Sequence, residues 1–520
     1  MNETRPLSAD GPQRRASNPQ VSAWVSANAG SGKTQVLVHR VIRLLLDGTL
    51  PERILCITFT NAAAAEMSKR LFRDLGEWIA LDDETLLEKI RALVGDKPGR
   101  ASLTRARRLF ACALDAPGGL KIQTIHAFCE RLLQRFPVEA GVVPGFSVLG
   151  EQSAAELLSA SGRLVLTGDA GESDAESMRT VVRYAGAHAF DGLIMELLKR
   201  PHLLAQFTDA GKRRRALEAA MRLEPGATPH TVAAAAVAGM DKEAYGRAAA
   251  VLDTLGPAAA KLAQTIRSAT AEISTERAFD HLRTLCLTKE GECRKNFPPA
   301  QLAKVAPNAA LFLQSELQRL LPLCDKHRAA VVVEASAGLL HLGGKIIGNY
   351  ERAKRALGSY DYDDLILKSL GLFASPDHRG WILYKLDGGI DHILIDEAQD
   401  TSPEQWRIIA NLTEDFFAGA GLRGDLVRTV FAVGDEKQSI FSFQGADPRF
   451  FREMRDYFAG RIAAAGSKLE KVPLTVSFRS TKAVLEAVDA VFDEVHEPSR
   501  LGAAGLVEIW PLEEGDRPER

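Results

Sequence analysis

The sequence contains no closely spaced cysteine pair. Its six cysteines, Cys56, Cys112, Cys129, Cys286, Cys293 and Cys324, are scattered without a C-x-x-C among them. That argues against a zinc or iron–sulfur site built within the chain and for reduced, mostly buried thiols. Long apolar runs are lacking too: none approaches the roughly 20 residues that span a bilayer. The opening segment MNETRPLSADGPQRRASNPQ has none of the apolar character of a secretory signal. A cytoplasmic protein with no membrane partner is the expectation. Excess charge of either sign is also missing. The formal net charge is -2, so any nucleic-acid surface must be a local patch rather than a field of the whole molecule. No internal repeat of fixed period is visible.

What is present is apolar sequence sufficient for several cores. With 520 residues, 46% of them hydrophobic and 25% charged, the chain fits a multidomain protein. Short β-rich apolar runs stand at 23–27, 54–59, 121–125, 393–395, 429–433 and 474–478. Most are followed by small or polar residues and then helical patterns, an alternation that predicts a parallel α/β sheet. Between about Glu151 and Leu357 the texture changes, and segments such as AAELLSASGRLVLTG and ELQRLLPLCDKHRAAVVVEA read as an inserted helical domain. Within it, the alanine-biased TPHTVAAAAVAGM reads as a helix or a mobile connection. The polar passage AGRIAAAGSKLEK after Phe458 reads as a link to a further α/β unit from Val472, barely begun at Arg520. A parallel sheet needs more strands than that to cover its faces, so the expectation is the front part of a longer protein.

The chemistry starts at residues 27–34, Ala27, Asn28, Ala29, Gly30, Ser31, Gly32, Lys33 and Thr34. This run fits the phosphate loop G-x-x-x-x-G-K-[ST] except that alanine replaces the first glycine. Gly30 and Gly32 allow a path on which successive N–H groups converge. Lys33 adds charge for the β and γ phosphates, and the Thr34 hydroxyl can ligate Mg²⁺. A strand before and an apolar helical pattern after make this an ATP site rather than a chance glycine-rich turn. Its second half should be a carboxylate ending a buried strand, and HILIDEAQD supplies one. Asp396 would hold Mg²⁺ through water, and Glu397 would orient and deprotonate the attacking water.

Seven ordered segments then carry a family resemblance: GPQRRA with Gln13, ANAGSGKT, ITFTNAAAAEM, IQTIHAFCERLL, LIDEAQDTSPEQW, VGDEKQSIFSFQGA and VSFRST. In this order they resemble the motifs of superfamily 1 DNA helicases of the UvrD, Rep and RecB group, most closely the AddA subunits of bacterial AddAB helicase-nucleases. The resemblance implies an α/β fold class: a P-loop NTPase with a RecA-like parallel sheet, an inserted all-helical domain and the start of a second RecA-like domain. Residues 1–150 and 358–465 would form the first RecA-like domain, 151–357 the helical insertion, and 466–520 the start of the second.

By the same resemblance, Gln13 reads the adenine edge and Phe478, where tyrosine is usual, stacks on the base. Gln438 senses the γ phosphate and couples it to DNA, and Arg479 reaches that phosphate as a catalytic arginine. Phe59, Phe441 and Phe443 match positions lining a single-strand track. An aromatic face there offers about 1–3 kcal/mol of stacking per base without reading sequence. Taken by themselves, the phenylalanines of SIFSF could equally form a buried stripe. Thr58, Thr60, Asn61, Thr124 and His126 match contacts to the DNA backbone, although His126 alone reads as a structural histidine. Gln444 departs from the arginine common at its position. The chain stops before the family's later motifs and before the nuclease domain of AddA.

The implied function is an ATP-dependent motor moving 3′ to 5′ on single-stranded DNA. It would unwind broken duplex ends for double-strand-break repair beside an AddB-type partner. A stand-alone UvrD-type helicase and a non-hydrolysing nucleotide-dependent DNA-binding module are the alternatives. The basic clusters GKRRRAL (211–217) and RAKRAL (352–357) could bind phosphates, but charge runs are commonly solvated helix faces. DYDDLI (361–366) reads as structural.

Overall fold

The computed structural model describes residues 11–28, 30–95, 100–117, 119–168, 172–198, 209–288, 291–374, 376–387, 389–417, 426–438, 447–492 and 497–498. The chain divides into two compact units, one formed by residues 1–149 and 358–520 and the other by 150–357.

The first unit contains the strands β1 (Ala23–Ala27), β2 (Ile54–Thr58), β3 (Lys121–Thr124), β4 (Ser147–Val148), β5 (Ser359–Tyr360), β6 (His392–Ile395), β7 (Thr429–Gly434) and β8 (Glu470–Leu474). The short β4 and β5 pair with each other. The other six form one sheet in the order β3-β2-β6-β7-β1-β8, and all six run parallel. The central ILCIT, HILI and TVFAVG are buried at every position, whereas the edge strands KIQT and EKVPL are only partly so. That is the signature of a parallel sheet covered on both faces. One face packs Trp24, Trp406, Phe451 and Phe458, with the Trp24 and Trp406 rings stacked at 5.7 Å. The other packs helix Lys33–Leu46 with Met67, Leu71 and Trp78. Register pairs Thr58 with Thr124, Ile57 with Ile395, Ile395 with Ala432, Val25 with Val433, and Ala27 with Leu474. The carboxyl ends of the strands therefore line one edge, where open α/β sheets place their ligands.

The structure corrects the reading of the last apolar run. The strand expected at 474–478 is instead β8, Glu470–Leu474, added parallel to β1, followed by the separate pair β9 (Val476–Ser477) and β10 (Glu497–Pro498). The sixth strand of the first sheet thus comes from a stretch assigned by sequence to a second domain. Pro473 lies on this open edge, where a residue without an N–H donor is tolerated.

The second unit is helical among its described residues apart from one antiparallel bridge, Leu287 to Cys293. Its spine is the 50-residue helix Pro307–Ala356. An 18-residue stretch of that helix has a mean hydropathy of 1.4, long and apolar enough to cross a membrane by length and composition alone. Leu313, Leu320, Val333, Leu342 and Ile346 are buried within the unit and account for that apolarity. TPHTVAAAAVAGM forms helix Pro229–Ala238, started by a capping box at Thr228 and burying Ala233 and Ala236.

Candidate active site

β1 runs into the turn 28–32 and then into helix Lys33–Leu46. Gly30 and Gly32 lie at φ +71° and +85°, left-handed values that cost residues with a Cβ roughly 1–2 kcal/mol. At Gly30 a Cβ would also sit 2.6 Å from Arg479 Cβ. The turn is closed by Ser31, whose amide (3.2 Å) and hydroxyl (2.7 Å) both donate to the Asn28 carbonyl. Gly32 caps the helix with no side-chain bond, so the first-turn N–H groups are the donors that a phosphate would meet. Ala27 is buried at the end of β1, Thr34 is half-buried in the first helical turn, and Ala29 lies outside the described residues.

The fold brings β6 to this turn. Lys33 Nζ lies 2.7 Å from Glu397 Oε2. The Asp396 amide still donates to Ile57 of β2 at 2.9 Å, and the chain then turns sharply, with Glu397 at φ +48°. A left-handed glutamate is strained backbone of the kind that gathers at functional sites. Asp396 is buried, and its carboxylate accepts from the Glu397 amide at 3.0 Å. Desolvation, reinforced by the Glu397 charge and opposed by Lys33, pushes its pKa up to about 7. Two carboxylates facing one ammonium leave a deficit of positive charge, which suits a divalent cation.

A third side chain, Gln399, organises the opposite flank. Its Nε2 donates to Glu397 Oε2 (2.9 Å) and to Asp400 Oδ2 (3.1 Å), while its Oε1 accepts the Asp435 amide (2.9 Å). Asp435 in turn accepts from Gln438 Nε2 at 2.7 Å. Sequence reasoning missed Gln399: the DEAQD segment stood in view, but nothing in its spacing says that the amide faces β7.

On the other side, the Phe478 amide donates to the Gly30 carbonyl at 2.8 Å, and the Phe478 ring passes beside Gly32. Phe478 and Arg479 are thereby held against the phosphate loop, with Arg479 exposed. Gln13 sits half-buried on helix Pro12–Ala16. That segment is fixed by two arginines of helix Lys33–Leu46. Arg40, wholly buried, donates to the carbonyls of Ala16 (3.0 Å), Asn18 (2.6 Å) and Val21 (2.6 Å) and to Thr429 Oγ1 (3.1 Å). Arg43 donates to the Arg14 carbonyl and the Ser17 hydroxyl. Neither was singled out from sequence, because arginines on an amphipathic helix ordinarily face solvent.

The expected DNA contacts divide. Thr60 and Thr124 cap helices Asn61–Ala80 and Ile125–Arg135, accepting from Ala63 N and Ala127 N. Two helix amino termini therefore stand side by side at the ends of β2 and β3. Thr60 and Asn61 are exposed and Phe59 is half-buried. Thr58 is buried, its hydroxyl spent on the Thr60 carbonyl at 3.1 Å, so it shapes the turn. The His126 ring lies 5.1 Å from that of Tyr362, which is 41% exposed. Burial lowers the His126 pKa, keeping the ring neutral. Tyr362 belongs to DYDDLI, whose Asp361 and Asp364 cap each other's backbone amides at 2.9 and 3.1 Å. Phe441 and Phe443 lie outside the described residues, as does Gln444. In the helical unit, the basic clusters are partly spent inside. Arg213 is buried beside His341, Arg214 pairs with Glu218, and Lys354 is buried against Glu351 and the Tyr350 ring.

Comparison with known proteins agrees with this layout. The chain is similar to the AddA subunit of the ATP-dependent helicase/nuclease of Pelotomaculum thermopropionicum, at 27% identity over 91% of this chain and 37% of the relative. It is also similar to the protein of the same name from Desulforudis audaxviator, at 29% over 94% and 40%, and from Levilactobacillus brevis, at 26% over 93% and 38%. The chain thus spans about two fifths of the length of these relatives. A family model for the UvrD/REP helicase N-terminal domain matches residues 10–459, and the chain belongs to that helicase family.

Proposed function

We propose that this chain is the ATP-hydrolysing motor portion of an AddA-like DNA helicase-nuclease. The observation that carries the reading is the convergence of Lys33, Glu397 and Asp396 on a glycine-bent phosphate loop, with Lys33 and Glu397 2.7 Å apart. The turn 28–34 would cradle the triphosphate, with Lys33 on the β and γ phosphates. Gln13 would read the adenine and Phe478 would cover it. Asp396 and Thr34 would hold Mg²⁺, which when bound neutralises phosphate charge; phosphate and water oxygens would complete its shell. Glu397, released from Lys33 by the incoming phosphates, would orient the attacking water and take its proton. Arg479 would stabilise charge developing on the γ phosphate, and Gln438 would relay its presence.

Single-stranded DNA would run across the carboxyl ends of β2 and β3. There the amino termini of the two capped helices and the exposed Thr60 and Asn61 would take up backbone oxygens. Phe59, Phe441 and Phe443 would stack on bases, and Tyr362 beside His126 would add an aromatic face. Movement 3′ to 5′, action at double-stranded DNA ends in double-strand-break repair, and pairing with an AddB-type nuclease partner complete the proposal. Support for these comes from the resemblance and from the relatives' names.

ATP hydrolysis measured with and without single-stranded DNA tests the reading. Wild type should be DNA-stimulated. Lys33→Ala should lose ATP binding, and Glu397→Gln should lower kcat by about 10²- to 10⁴-fold, as for a lost general base, with ATP affinity within a few-fold. Undiminished turnover in Glu397→Gln would remove Glu397 from the chemistry.

A further inference from the structure

Gln399 is almost fully buried, and a buried amide must find partners. What carries information is which partners it has. On one side Nε2 holds Glu397 Oε2, the same oxygen that Lys33 holds at 2.7 Å. On the other side Oε1 holds the backbone amide of Asp435. The carboxylate of Asp435 gathers the turn that follows, accepting from Lys437 N at 3.1 Å and from Gln438 Nε2 at 2.7 Å. The approach is close enough to require glycine at 434, since a Cβ there would lie 2.5 Å from Gln399 Oε1 and 3.2 Å from the Phe451 ring.

We propose that Gln399 is a positioning residue that links the occupancy of the phosphate loop to the 434–438 turn through one rigid amide. This deepens the ATPase reading above and rests on it. An incoming phosphate that draws Lys33 away leaves Glu397 Oε2 with Gln399 as its remaining neighbour from this set. A carboxylate that turns toward water pulls or releases Nε2. The amide is planar, so Oε1 moves with Nε2. The Asp435 amide follows, and with it Gln438, immediately before SIFSF in the sequence. The device therefore has two discrete ends and a stiff middle, as a physical coupling path requires.

Hydrogen–deuterium exchange on the full chain, with and without Mg²⁺ and a non-hydrolysable ATP analogue, tests this. In wild type, peptides covering 28–36 and 431–438 should both respond, the second by about tenfold in rate. In Gln399→Leu, 28–36 should still respond, which also reports that the site folds, and the response of 431–438 should be lost. If Gln399→Leu does not fold, Gln399→Asn, one methylene too short to span both partners, should show the same split. A 431–438 response in the folded variant equal to that of wild type overturns the inference alone. A silent 28–36 in wild type overturns the nucleotide reading and the inference with it.

Discussion

At the scale of the residue, Asp396 is held against its own chemistry. Burial and the neighbouring Glu397 raise its pKa to about 7, from an ordinary value near 3.8. In the absence of nucleotide and Mg²⁺ the folded protein keeps a proton on Asp396 that the unfolded chain releases. Between about pH 4 and pH 7 the native state binds more protons, so this group's contribution to stability falls as pH rises. Buried His392, pushed down to about 3, acts in the opposite sense below its ordinary pKa of 6.5. The difference between wild type and Asp396→Asn therefore isolates the carboxylate. The variant should gain thermal stability relative to wild type as pH goes from 5 to 8, and a difference that stays flat would refute the burial argument. Asp396 and Glu397 were legible in the sequence because an apolar run ending in two acids is unusual in itself. Gln399 was not, since an amide two residues further on announces nothing until β7 is placed beside it.

At the scale of the element, helix Lys33–Leu46 joins the phosphate loop to the segment carrying Gln13. Its apolar stripe and its start at a lysine following glycine could be read directly. The role of Arg40 could not, because its four acceptors come from residues 16, 18, 21 and 429, which only the folded chain brings together. The guanidinium stacks 5.0 Å from the Phe431 ring, and burial lowers its pKa to about 9, still leaving it charged at neutral pH. Arg40→Met removes the desolvation cost but leaves buried acceptors unpaired at about 1–3 kcal/mol each before relaxation. A net loss of about 2–4 kcal/mol is expected, read from urea denaturation. The KM for ATP should also rise as residues 12–21 loosen, whereas an unchanged KM would detach this clamp from adenine recognition.

At the scale of the whole molecule, the parallel sheet was legible because its central strands are buried on both faces and therefore read as unbroken apolar runs. β8 was not: EKVPL alternates and contains a proline, and its membership of the first sheet comes from pairing with β1. The helical unit poses the same difficulty for charge. GKRRRAL and RAKRAL look like phosphate-binding runs, yet Arg213 and Lys354 are buried, while Lys212, Arg215, Arg352 and Arg355 are exposed. These two sets should separate experimentally. Arg213→Ala empties a buried position beside His341, which itself bonds Asp174 at 2.7 Å. It should lower the melting temperature and leave DNA binding by the remaining folded protein alone. Changing the four exposed residues to glutamine removes charge without touching packing. If they carried phosphate contacts, the slope of log K against log salt for single-stranded DNA would shrink by about 0.7 for each. With half of each cluster turned inward, the expected result is a slope within about 0.5 of wild type. A fall of two or more would put this helical face on the DNA and extend the footprint beyond the edge formed by β2 and β3.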